Sequence, residues 1–239
     1  MISFIVPAYN EEQLLGRTLE SLHAAAAGAG LPYEVIVADD ASTDRTPEIA
    51  RRLGARVVPV AHRQIAATRN SGARAATGAY LIFVDADTVV TAGVVRAAVE
   101  AMRSGAVGGG AAVSFDGTLP LYARVLVPLL SWGYRAARLA AGCFVFCTRE
   151  AFAAVGGFDE AYFGAEEVVL SGALKRQGRF VVLPQSVCSS GRKMRTYSGR
   201  ELLLISWRIA WRGRKGVQQR QGMEIWYAQE RRTDPEREP

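Results

Sequence analysis

Tyr80-Leu81-Ile82-Phe83-Val84-Asp85-Ala86-Asp87 is the stretch whose reading decides the fold. Its first five residues read as a strand buried on both faces, the kind found in parallel sheets. Asp85 and Asp87 follow, two carboxylates at i and i+2, which extended backbone points the same way. Such a pair at the carboxyl end of a strand can hold a hard divalent cation, and the cation can hold a diphosphate. A second run, Glu34-Val35-Ile36-Val37-Ala38, ends likewise in Asp39-Asp40. Two acidic strand ends in one alternating pattern point to a nucleotide-diphosphate site.

Outward from that stretch, strands and helices alternate. Residues 2–6 read as a first strand and Pro7-Ala8-Tyr9 as a turn. Asn10 is placed as an N-cap with Gln13 as its capping-box partner, which puts Glu11 and Glu12 where the helix dipole favours them. Leu14, Leu15, Thr18, Leu19 and Leu22 give that helix one buried face. Further strands are expected at 34–38, 56–60 and 80–84. Helices are expected around Pro47, at 65–77 and at 92–103. This alternation predicts an α/β fold, a Rossmann-like, mainly parallel central sheet flanked by helices, with ligands beyond the carboxyl ends of the strands.

After Gly105 the pattern changes. A strand runs to Phe115 behind Gly108-Gly109-Gly110. Further elements are expected as a strand at 143–147, a short helix at 149–155, a helix from Glu166-Glu167 to Gly178 and a strand at 180–183. Segment 119–140 is apolar but broken by Pro120, Arg124, Pro128 and Gly133. It and the run from Leu202 to Trp207, with Trp211, are amphipathic. Core packing is the commoner explanation; a surface that meets a membrane, helped by Arg208, Arg212, Arg214 and Lys215, is the alternative.

Composition bounds the function. The 239 residues are 49% apolar, enough for a full core and against global disorder. No apolar stretch is long enough to span a bilayer, and Met1 leads straight into the first strand without a signal peptide. Cys143, Cys147 and Cys188 lack zinc-type spacing and read as reduced thiols of a cytosolic protein. The net charge of +6 sits at one end: residues 191–239 carry 12 Lys and Arg against 6 Asp and Glu, and the rest balances at 17 each. That excess is a solvated tail, a diphosphate contact or an anionic-membrane contact. Nucleic-acid binding is disfavoured because no recognisable module accompanies the charge.

Six fragments then occur in order: Val6-Pro7-Ala8-Tyr9-Asn10-Glu11, Val37-Ala38-Asp39-Asp40-Ala41-Ser42-Thr43-Asp44, Arg69-Asn70-Ser71-Gly72, Asp85-Ala86-Asp87, Gly156-Gly157-Phe158-Asp159-Glu160 and Glu166-Glu167. Over residues 2–190 the chain resembles the family 2 glycosyltransferases, the inverting group with the GT-A fold. The resemblance implies a catalytic domain over 1–190, with a nucleotide-binding half at 1–105 and an acceptor half at 106–190. Residues 191–239 form a basic extension whose polar end, 231–239, is expected to be disordered.

The resemblance also implies roles. Pro7, Ala8 and Tyr9 line the base pocket, and Asp39, ranked above Asp40, accepts a hydrogen bond from base or ribose. Arg69 touches base or phosphate. Asp87 is the direct ligand of Mg²⁺ or Mn²⁺, and Asp85 contacts the ribose or a metal-bound water. Glu167 is the general base, where the family usually has Asp. Glu166, Gly157, Phe158 and Asp159 are acceptor or diphosphate contacts, and beyond the resemblance the basic residues Arg192 and Lys193 are candidates for the same. The run Gly191-Arg192-Lys193-Met194-Arg195 is either a lid over the diphosphate or an ordinary surface loop. The Gln-x-x-Arg-Trp motif of processive synthases is absent, which implies single addition. The implied donor is a UDP- or GDP-sugar and the acceptor a sugar or a lipid-linked molecule. The implied location is the cytoplasm, with contact to the inner face of the membrane as an option. Two alternatives stay open: transfer to a polyprenyl phosphate, which needs no base, and a non-catalytic nucleotide-sugar binder.

Overall fold

Alternate residues of the early strands are apolar toward both faces, so the sheet must lie between two layers of helices. In β1 (Ile2–Ala8), Phe4 and Val6 enter one core and Ile5 the other; in β2 (Tyr33–Asp40), Val35 and Val37 oppose Ile36. The same parity holds in β4 (Tyr80–Val84), where Ile82 and Val84 oppose Leu81 and Phe83. These features belong to a computed structural model that describes residues 1–197, 199–201, 214–220, 223 and 227.

The first layer holds α1 (Leu15–Ala29), α2 (Thr46–Arg52) and α4 (Ala92–Arg103), through Leu15, Leu19, Leu22, Ala50, Val94 and Val95. The second holds α3 (Ile65–Ala75), α6 (Arg149–Ala154) and α7 (Glu166–Gln177), through Ala66, Ala73, Ala151, Leu170 and Leu174. Each fully buried Leu or Phe contributes roughly 1.5–3 kcal/mol.

Eight strands among the described residues form one sheet in the order β3-β2-β1-β4-β7-β6-β8-β5. The run from β3 (Arg56–Val60) to β4 is parallel. Its carboxyl ends therefore share one edge, and pairing of Ala8 with Asp39 sets Pro7–Tyr9 level with the Asp39-Asp40 pair. β7 (Phe144–Thr148) then runs antiparallel between β4 and β6 (Ala106–Phe115). Close strand packing explains the glycine run: a Cβ on Gly108 would lie 2.8 Å from the Phe146 carbonyl oxygen. β8 (Arg179–Ser189) pairs parallel with β6 and antiparallel with β5 (Thr88–Val89).

Several expectations are corrected. Asn10 caps no helix: it has φ +50°, its Oδ1 accepts from the Thr43 amide at 2.8 Å, and its own amide donates to Ser42 Oγ at 3.0 Å. One separate turn intervenes, in which the Glu11 carbonyl accepts from Leu14 and Leu15, so α1 begins four residues later. Glu11 and Glu12 are drawn to arginines instead of the helix dipole: Glu11 to Arg192 at 3.0 Å, Glu12 to Arg45 at 3.1 Å. Asp85 and Asp87 sit on a tight turn, closed by the Thr88 amide on the Asp85 carbonyl at 3.0 Å, and not on extended backbone.

β8 is longer than expected, running on through Pro184 to Ser189. Residues 192–196 form a short helix, α8 (Arg192–Thr196). Segment 119–140 yields α5 (Leu121–Ala136), which does not pack into the core: of its residues only Ala123 is buried. The amphipathic pattern at 202–212 and the polar end at 231–239 lie outside the described residues.

Candidate active site

Two adjoining cavities open at the carboxyl edge of the parallel strands. The first lies among Pro7, Ala8, Tyr9, Asp40, Arg63 and the Asp85–Asp87 turn. The second, of about 380 Å³, lies among Asp85, Asp87, Cys143, Tyr134, Glu166 and Glu167. Ile65, Asp85, Asp87 and Lys193 line both. The acidic turn is thus the wall where the two meet.

In the first cavity the Arg63 guanidinium lies 3.6 Å from the centre of the Tyr9 ring, a cation–π contact. Asp40 lines this cavity but its oxygens are engaged. They accept from the amides of His62, Arg63 and Gln64 at 2.7, 2.8 and 3.1 Å and from Thr68 Oγ1 at 2.8 Å. Asp40 therefore shapes the loop that carries Arg63. Asp39 is off the cavity wall, yet its buried Oδ1 has no hydrogen-bond partner among the described residues. Burial raises its pKa, against the pull of Ser42. A buried acceptor without a donor is uncommon and calls for one.

Asp87 is partly buried and pushed up to about pKa 6, mainly by burial, with Lys193 opposing and Glu11 and Asp85 adding to the rise. Among the described residues, its Oδ1 has only long contacts, to Ser189 Oγ at 3.3 Å and Thr88 Oγ1 at 3.4 Å. A carboxylate disfavoured as an anion, with two more carboxylates near, fits a divalent cation, which inverts that balance. No group of three or more potential ligands occurs among the described residues. One or two carboxylates with the remaining positions left to phosphate and water is the arrangement Mg²⁺ favours.

Arg69 departs from expectation. It is absent from the first cavity and almost fully buried, with its two terminal nitrogens spent on protein groups: Glu166 at 2.7 Å, Asp85 at 2.7 Å and the Gly142 carbonyl at 2.9 Å. Burial would lower its pKa, but Asp85 and Glu166 overcome that and hold it charged. Arg69 is a strut from the acidic turn to the first turn of α7. Glu166 is consumed by that strut. Glu167 has no ion pair among the described residues, and burial with Glu166 pushes its pKa up to about 8, against the pull of Arg69.

The other expected contacts divide. Lys193 faces both cavities, while Arg192 is buried against Glu11 and so anchors α8 to the β1–α1 turn instead of reaching a ligand. Gly157, Phe158 and Asp159 line neither cavity. Phe158 is held to Asn70 by two hydrogen bonds of 2.9 Å and packs edge-on to Phe83, so this motif braces α3 from behind. Some residues of the site escape sequence reasoning. Tyr227 and Arg220 reach the first cavity from the C-terminal region, the Tyr227 hydroxyl accepting from the Ile65 amide at 3.3 Å. Tyr134 and Cys143 line the second, and Ser190 donates its amide to the Asp87 carbonyl at 3.1 Å. None of these five residues lies in a motif that could have signalled it.

Known proteins resemble the chain in sequence and in fold. The profile of Glycosyl transferase family 2 matches residues 3–152. An undecaprenyl-phosphate 4-deoxy-4-formamido-L-arabinose transferase of Edwardsiella ictaluri (strain 93-146) is 36% identical over 94 residues, covering 38% of this chain and 27% of that protein. A validoxylamine A glucosyltransferase of Streptomyces hygroscopicus subsp. limoneus is 39% identical over 92 residues, covering 36% of this chain and 20% of that protein. The matched stretch thus spans only about a fifth to a quarter of these relatives. The mannosyltransferase PcManGT from Pyrobaculum calidifontis, solved with GDP-Man and Mn²⁺, has a TM-score of 0.65 at 24% identity, over 85% of this chain and 59% of that one. S. aureus TarS 1-349, solved with UDP-GlcNAc, has a TM-score of 0.61 at 21% identity, over 80% and 58%. The fold is the GT-A fold of these neighbours, and the chain belongs to glycosyl transferase family 2.

Proposed function

We propose that the chain is an inverting glycosyltransferase that moves a sugar from a nucleotide-diphospho-sugar to an acceptor hydroxyl. One observation carries this reading: Asp85, Asp87 and Lys193 line the wall shared by the two cavities. A diphosphate seated there would have its nucleoside toward Tyr9 and its sugar toward Glu167. Residues 1–105 then act as the donor half and 106–190 as the acceptor half. UDP- and GDP-sugars are the donor candidates, because the neighbours were solved with such compounds.

Tyr9, with the Arg63 guanidinium over its ring, lines the end of the first cavity where the base would sit, and Asp39, whose Oδ1 has no partner among the described residues, is the candidate acceptor for base or ribose. Asp87, with Asp85 beside it, would hold Mg²⁺ or Mn²⁺, which supplies neutralising charge to the departing diphosphate. Glu167 takes the proton from the acceptor hydroxyl while that oxygen attacks the anomeric carbon opposite the diphosphate, and the configuration inverts. Arg69 keeps Glu166 in place, so that one carboxylate of the pair is structural and the other is available. Lys193 faces the same wall and adds positive charge there.

A second reading is transfer to a polyprenyl phosphate. It is favoured by the raised pKa of Glu167, which keeps that group largely protonated at neutral pH, where an acceptor that is already an anion needs no base. Calorimetry with a panel of UDP- and GDP-sugars, with and without Mn²⁺, tests the donor site. At least one should bind in a metal-dependent way, and Asp87→Ala should weaken it by at least ~10-fold. A panel with no binding overturns the proposal. Binding with no transfer to any hydroxyl or lipid-phosphate acceptor assigns the chain as a nucleotide-sugar binder.

A further inference from the structure

Among the described residues, the exposed large apolar side chains are Met1 and six on one helix: Leu121, Val125, Leu126, Leu129, Leu130 and Trp132 of α5, each between 39% and 75% exposed. Leu121, Val125, Leu129 and Trp132 fall at i, i+4, i+8 and i+11, one continuous outer stripe. The opposite stripe is Ala123, Val127, Ser131 and Tyr134. Ala123 is buried, and the other three line the second cavity. One helix therefore serves as the wall of the acceptor-side cavity and as an apolar face toward solvent. A patch of this kind marks an interaction surface.

Its charge names the partner. Residues 117–149 contain no Asp or Glu, while Arg124, Arg135 and Arg138 are exposed along α5 and its end. Aliphatic residues and a Trp on one face, with arginines that can reach outward along their stems, suit the boundary of an anionic bilayer. An isologous pairing with a second copy would bring the arginines of two helices together, and this segment supplies no carboxylate to offset them. At 16 residues α5 is about 24 Å long, short of a bilayer's hydrocarbon core, so it can lie in the interface but not cross it.

We propose that α5 docks on an anionic membrane surface and turns the mouth of the second cavity toward it, so that the acceptor is carried on a lipid. The lipid-borne acceptor rests on the glycosyltransferase reading; the docking itself does not.

Vesicle sedimentation of the full chain tests it, with phosphatidylcholine alone and with phosphatidylcholine containing about one-third phosphatidylglycerol. Wild type should pellet with the anionic vesicles, and less so as salt rises. The variant Leu129→Glu/Trp132→Glu changes only exposed positions outside the cavity wall; far-UV circular dichroism checks that it stays folded. It should lose at least ~10-fold in vesicle affinity, with nucleotide-sugar binding within about twofold of wild type. The proposal is overturned if wild type stays in the supernatant with both vesicles, or if the variant binds vesicles as wild type does. It is also overturned if sedimentation equilibrium shows a dimer that this variant dissociates, which assigns the face to a second copy. Vesicle binding with no nucleotide-sugar binding would leave the docking standing and remove the enzymatic reading.

Discussion

Arg69→Met is the perturbation whose size follows most directly from the structure. The Arg69–Glu166 pair spans 2.7 Å with side chains 2% and 7% exposed, whereas Asp85 in the other arm is 34% exposed. Breaking a buried pair by removing one partner costs about 3–5 kcal/mol, because a charge is left behind without compensation. The Asp85 arm, partly screened by water, adds no more than about 1 kcal/mol. The total of about 3–6 kcal/mol corresponds to a fall in melting temperature of roughly 6–24 °C for a domain of this size. Urea unfolding followed by far-UV circular dichroism measures it. The double variant Arg69→Met/Glu166→Met removes both charges, so its loss should fall short of the sum of the single losses by at least about 2 kcal/mol. A loss below about 1 kcal/mol for Arg69→Met, or additive losses in the double variant, refutes the strut.

Four further outcomes follow from the site. Glu167, with a pKa of about 8, must be ionised to act as a base, so transfer to a hydroxyl acceptor should climb with pH up to about 8 and level off above it; a rate flat from about pH 6 to 9 contradicts the role. The same shift acts on stability. The folded chain keeps this proton between the ordinary carboxyl pKa of 4.5 and about 8, where the unfolded chain has released it, so the contribution is full below that window and is lost as pH rises through it. Glu167→Gln should therefore melt higher than wild type at alkaline pH and no higher at acidic pH; equal melting at both would contradict the burial argument. In Gly142→Ala the new Cβ would lie 3.4 Å from the Glu167 carboxyl carbon, an ordinary van der Waals contact, so kcat and donor affinity should both stay within about threefold of wild type; a larger fall in kcat shows that the carboxyl group moves toward Gly142 during transfer. Asp40→Asn should destabilise by about 1–3 kcal/mol through the 62–64 loop, while Asp39→Asn should weaken nucleotide binding with little effect on stability. The reverse pattern in thermal melts and titrations would exchange their roles.

Much of the architecture was legible because local signals were strong. β3, β4 and α4 fall where the apolar runs and turn residues put them, and α3 starts where expected. Asp85, Asp87 and Glu167, positions to which the resemblance drew attention, line one cavity. What could not be read depends on distant partners. Asn10 and Gln13 form a plausible capping box, yet Ser42 and Thr43, some 32 and 33 residues on, claim Asn10. Arg69 reads as a base or phosphate contact until Glu166, 97 residues later, closes the pair. β5 is two residues long and exists because β8 continues past Pro184 to meet it. The pattern of α5 favoured core packing over a surface role, and only the packed fold shows that its outer stripe is uncovered.

The central claim, that a donor at the acidic turn hands its sugar across the shared wall toward Glu167, is tested most directly by single-turnover transfer to a hydroxyl acceptor with the donor already bound. Comparing wild type with Glu167→Gln, the account predicts donor affinity within about twofold and transfer slowed at least ~100-fold. Transfer by the variant within about threefold of wild type would contradict it.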